Sequence, residues 1–183
     1  MTFFTRLAFA LTLLGALLAP VANAATVSAG LLQVRQSPVC TAPPLDDCSF
    51  YATCLEPKFN CGPEGYPIGF GQKFCNKFSA ARNELSAEGQ QWMIKTMNCL
   101  QVTLVPELAI SQTCDTLESK ALDSHARCYL DSGLCTLPPS DWLEIVDIVS
   151  FPTLFGSLDA LKSSAETGFG CIKFFAFLAL NVF

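Results

Sequence analysis

Apolar positions along the chain change period twice. Leu7 to Ala19 form one continuous apolar run of thirteen residues behind Arg6, closed by Ala22-Asn23-Ala24. A short positive start, a short apolar stretch and a small-residue site are the layout of a secretory signal peptide, so residues 1–24 are expected to be removed and the mature chain to begin at Ala25. The run is shorter than the roughly 20 residues needed to cross a hydrocarbon layer. From Ala25 to about Tyr66 no helical period is sustained. Pro38, Pro43, Pro44, Pro57 and Pro63 punctuate four cysteines, and Cys61-Gly-Pro-Glu-Gly-Tyr-Pro-Ile-Gly closes the stretch with turn residues. This pattern predicts an irregular arm pinned by its cysteines.

Beyond Tyr66 the apolar residues recur at three and four. Phe70, Phe74, Cys75, Phe78 and Ala81 predict one helix. Ser86 is placed to cap the next, whose stripe of Trp92, Met93, Met97, Leu100 and Leu104 reads as core and stops before Pro106. A third helix is expected from about Gln112 to Leu130, with Cys114, Leu117, Ala121, His125 and Cys128 along one side and Gly133 ending it. Cys114 and Cys128 lie 14 residues apart, which at about 1.5 Å per residue separates them by some 21 Å. A disulfide tolerates a Cα separation of about 7 Å, so in a continuous helix each must pair with a different neighbour.

Pro138-Pro139-Ser140 predicts the start of a fourth helix, with Ser140 as cap and Asp141 and Glu144 near its positive end. Pro152 interrupts it, and two shorter apolar segments follow, around Leu154 to Leu161 and Phe169 to Leu180. Ser163-Ser164-Ala165 before the last of these resembles a lipid-anchor attachment site. Its spacer to the apolar tail is short, Lys173 interrupts the tail, and cleavage there would leave nine cysteines, so a buried or partner-facing helix is the preferred reading over membrane anchoring. The expected fold is therefore all-α: one domain, residues 25–183, a disulfide-stapled helical bundle with an irregular cysteine-rich N-terminal arm.

Composition narrows the function. Of 183 residues 51% are hydrophobic and 15% charged, enough apolar surface for a core. Sixteen acidic residues face ten basic ones once Arg6 is gone, a formal charge of −6 that argues against nucleic acid as a partner. Ten cysteines, all after the leader, imply five bridges in an oxidising, extracellular setting. A metal site is not expected, because there is no C-x-x-C and only one histidine. Asp46, Asp47, Asp131 and Asp141 are available oxygens, but no loop alternates acids and ends in a glutamate as an EF-hand does.

His125 is the only imidazole. Its neighbour Ser124 cannot face it on a helix, and no G-x-S-x-G elbow is present. His125-x-x-Cys128-Tyr129 and Cys61-Gly62-x-x-Gly65 superficially resemble the catalytic helix and calcium loop of secreted phospholipase A2. Ala126 stands where that family has a calcium-binding aspartate, and the loop lies too far from the helix. No catalytic residue and no cofactor is therefore expected. The alternative kept beside this is a secreted lipid-active protein, either such an enzyme or a lipid carrier using Phe169 to Phe183.

The order Cys54-Leu-Glu, Cys75, Phe78, Ser79-Ala80-Ala81, Gly89, Lys95, Cys99, Cys114, Cys128-Tyr129, Cys135 and Cys171 resembles the stanniocalcins, secreted hormone-like proteins of animals, over about 130 residues. The most specific parts are Cys114-x13-Cys128-Tyr-x5-Cys135 and the 23 residues between Cys75 and Cys99. The resemblance implies the pairs Cys40 with Cys54, Cys48 with Cys75, Cys61 with Cys114, Cys99 with Cys128, and Cys135 with Cys171. It implies a hormone-like or binding role through an extracellular protein partner or receptor, bearing on calcium and phosphate balance or on a secreted protease. Two family features have no counterpart here, the intersubunit cysteine and the asparagine glycosylation site, so any homodimer is expected to be noncovalent.

Overall fold

The computed structural model describes residues 37–149 and 171–181. Residues 1–24, expected to be a leader, the segment around Leu154 to Leu161 and the Ser163-Ser164-Ala165 site lie outside them. Every regular element among the described residues is helical.

The arm is irregular from Ala42 to Cys48 and from Asn60 to Gly65, with one helical turn, α1 (Pro38–Thr41), before it. Between those stretches the arm is helical where an irregular chain is expected: π-helical Tyr51–Leu55 runs directly into α2 (Glu56–Phe59). Phe50, Tyr51, Cys54 and Leu55 are all buried and occupy one side of this segment. Pro57 hid it: a proline ring clashes with the carbonyl four residues back in a regular α-helix, and the wider π geometry around Thr53 accommodates it. A second π-helical stretch, Tyr66–Gln72, opens with Pro67, where a missing N–H is harmless, and continues as α3 (Lys73–Ala80). Gly71 is required here, since a Cβ would run into the ring of Tyr51.

Two helices of 18 residues form the centre. In α4 (Ala87–Leu104), Trp92, Met93, Met97 and Leu104 are buried. In α5 (Cys114–Asp131), Leu117, Ala121, His125 and Cys128 are buried. The Ser86 hydroxyl accepts the Gly89 N–H at 3.1 Å, and Thr113 does the same for Thr116 at 3.2 Å. Gly133, at φ +105°, ends α5 in the left-handed region. The Trp92 indole donates to the carbonyl of Tyr129 at 3.1 Å and so ties α4 to the end of α5.

The fourth expected helix is α6 (Pro139–Val149), and its start differs from the reading of Ser140 as cap. The helix begins at Pro139, whose fixed φ suits the first helical position, and the carbonyl of Pro138 accepts from Asp141 and Trp142. Ser140 is left exposed. The turned-in residue is Asp141, fully buried, which accepts from the Ser86 backbone N–H at 2.8 Å and from its hydroxyl at 2.6 Å. One carboxylate thus fastens the first turn of α6 to the first turn of α4. Helix α7 (Ile172–Asn181) lies on α6, with Phe174 and Phe177 against Trp142 at 5.4 and 5.3 Å between ring centroids.

All ten cysteines are bonded: Cys40–Cys54, Cys48–Cys75, Cys61–Cys114, Cys99–Cys128 and Cys135–Cys171. Cys114 and Cys128 sit in one helix and pair with different elements, the arm and α4. Bonds of this kind persist in oxidising compartments. Removing the Cys61–Cys114 bond with Cys61→Ser and Cys114→Ser frees a loop of 53 residues, for which chain entropy gives a loss of about 4 kcal/mol. The midpoint of denaturant unfolding should fall accordingly, and an unchanged midpoint would mean that the bond constrains nothing the core does not already hold.

Candidate functional site: the aromatic core around His125

The most chemically equipped interior region lies where the Tyr66–Gln72 stretch crosses α4 and α5. Tyr66 and Phe70 stack at 5.5 Å. Phe70 meets the ring of His125 edge-on at 5.8 Å, and His125 meets Tyr129 edge-on at 5.6 Å. Tyr51 packs edge-on against Tyr66 at 6.4 Å between ring centroids. Nothing in the local sequence joins positions 51, 66, 125 and 129. They converge because Cys61–Cys114 binds the arm to α5 and the π-helical stretches turn their aromatic sides inward.

His125 is 4% exposed. Its Nδ1–H donates to the carbonyl of Ala121 at 2.7 Å, which leaves Nε2 as the acceptor nitrogen. Burial lowers its pKa, and this outweighs the opposing pull of the Ala121 and Leu122 carbonyls, so the ring is neutral at neutral pH. Burial likewise pushes all three tyrosine hydroxyls far above their ordinary range. The cluster therefore holds its titratable groups uncharged.

The space among these rings is small. A cavity of about 30 Å³ is bordered by Tyr66, Phe70, Thr96, His125 and Tyr129 among others. Sites that hold organic ligands usually enclose roughly 300–1,000 Å³, so this cavity takes nothing larger than a water-sized molecule. An open groove of about 370 Å³, of mixed polar and apolar lining, runs between the first turns of α4 and the Gly133 turn, with Glu88, Trp92 and Lys95 on one wall and Ser132, Thr136 and Leu137 on the other.

The carboxylates considered for calcium are dispersed and already engaged. Asp46 pairs with Arg82. Asp47 accepts the Ser49 N–H at 2.6 Å, Asp131 pairs with Arg127 at 3.3 Å, and Asp141 holds Ser86. Among the described residues no three metal-ligating side chains converge. The Cys61–Gly65 loop is closed by the Gly65 N–H donating to the Gly62 carbonyl at 3.1 Å, and is tied to α2 by the Gly62 N–H donating to Glu56 at 2.8 Å. Cys61 is fixed at Cys114, eleven residues from His125 and so about 16 Å away along α5.

No helix among the described residues is long and apolar enough to cross a membrane. The helical period puts His125 on the same side of α5 as Cys128, but nothing in it points to Tyr66 and Phe70 packing in the same cluster. The only signal was the density of aromatics at positions 50, 51, 66 and 70. Comparison with protein-family models, with curated proteins and with solved structures gave no match to the chain.

Proposed function

We infer that the chain is an extracellular, hormone-like binding protein of the stanniocalcin type, which acts through its outer surface on a protein partner and not by catalysis. The observation that carries this reading is the disulfide framework, whose five pairs coincide with those drawn from the family pattern and join the arm to α3 and α5, α4 to α5, and the turn after α5 to α7. Such cross-linking holds the helical surfaces in fixed relation, which favours recognition because little side-chain and loop freedom is lost on binding. The burial of the one imidazole and the small volume beside it favour binding over phospholipase or lipid-carrier action. Regulation of calcium or phosphate would then proceed through the protein partner, a receptor or a secreted protease.

The mature chain, produced through a secretory pathway, should bind animal cell surfaces saturably, or inhibit a secreted metalloproteinase in proportion to dose. Either activity should survive in a His125→Gln variant shown by circular dichroism to be folded. Calcium-dependent phospholipid hydrolysis by the purified chain, lost in that folded variant, would sink the reading in favour of the enzyme.

A further inference from the structure

Thr96 stands in the middle of α4 and is 3% exposed, yet its Oγ1 has no hydrogen-bond partner among the protein atoms. A hydroxyl buried in this way is destabilising by a sizeable fraction of a hydrogen bond's full strength. A threonine within a helix usually turns its hydroxyl to the carbonyl four residues back, here that of Trp92, but Thr96 borders the aromatic cavity instead. The same cavity is bordered by His125, whose Nδ1 is committed to Ala121 and whose Nε2 is therefore the nitrogen left to accept. Its volume of about 30 Å³ exceeds the roughly 10–15 Å³ a single water needs and falls far short of any organic ligand. Two observations thus coincide, a buried unpartnered donor and a water-sized space with a second polar group on its wall.

We propose that this cavity is a specific site for one internal water, held by the Thr96 hydroxyl and by Nε2 of His125 between α4 and α5. The water accepts from Thr96 and donates to His125, so neither polar group is left unpaired in the core. The site is part of the folded scaffold and is independent of the partner proposed above.

A crystal structure of the intact protein at high resolution tests it directly. Wild type should show a density peak roughly 2.7–3.2 Å from both Thr96 Oγ1 and His125 Nε2. Thr96→Ser, which keeps the hydroxyl, should retain the peak; Thr96→Val should lose it and melt several degrees lower. If the wild-type cavity contains no peak, or the Thr96 hydroxyl is turned to the Trp92 carbonyl, the proposal is overturned whatever the melting points. A Thr96→Val protein that melts higher than wild type would point the same way, since it would show that the hydroxyl had no partner to lose.

Discussion

Raised above pH 10, the protein is expected to unfold in a single cooperative step in which all three of its tyrosines ionise together. Tyr51, Tyr66 and Tyr129 are 2%, 3% and 6% exposed, and burial holds each hydroxyl's pKa far above the ordinary value of 10. A group whose folded pKa is raised gives stability that is complete below the unfolded pKa and is lost as pH climbs through the folded one. The window therefore opens near pH 10. Above it the unfolded chain sheds three protons that the folded chain retains, at about 1.4 kcal/mol per proton and pH unit, or about 4 kcal/mol per unit in all. A stability of roughly 5–15 kcal/mol is exhausted within a few units. Absorbance of phenolate near 295 nm and helical circular dichroism, followed immediately after pH jumps, should change together. Gradual ionisation near pH 10 with the helices intact would show that the tyrosines are not sealed in. On the acid side His125 acts with the opposite sign: its lowered pKa favours the fold above the ordinary histidine value, and that contribution fades as pH falls through the folded pKa.

The second large effect is expected at Asp141. Substituting alanine removes two short hydrogen bonds to a charged acceptor and strands the Ser86 N–H at the start of α4. Bonds of this kind contribute about 1.5–3 kcal/mol each, so Asp141→Ala should lower stability by about 3–6 kcal/mol. Asp141→Asn, which keeps one acceptor oxygen and the shape, should lose less. Gly89 makes the test specific. Alanine is the better helix former by about 1 kcal/mol, yet a Cβ at this buried position would run into the Asp141 carboxylate. Gly89→Ala alone should therefore destabilise, while in the Asp141→Ala background it should become neutral or stabilising. Additive effects in the double variant would mean that the two residues do not share this contact.

Much of the helical framework was legible in the chain. The stripes of α4 and α5, the cap at Ser86 and the stop at Gly133 are local features, written within a few residues of where they act. The same holds for the veto on pairing Cys114 with Cys128, which needs only the rise of a helix. The arm was less legible, because Pro57 and the π-helical turns break the 3.6-residue period on which the reading depends. By sequence Asp141 is an acid near the positive end of its own helix; in the fold its partner is Ser86, 55 residues away.

The sequence by itself determined that the protein is helical and where its central helices run, because helical period, caps and breakers are properties of neighbouring residues. Its even count of ten cysteines pointed to five bridges. Only the tertiary structure decided that Asp141 holds the cap residue of another helix, that Thr96 borders a cavity, and that His125 is enclosed by Phe70 and Tyr129. Each of these depends on which surfaces the bridges bring together, and a burial or hydrogen bond across the fold leaves no period along the chain.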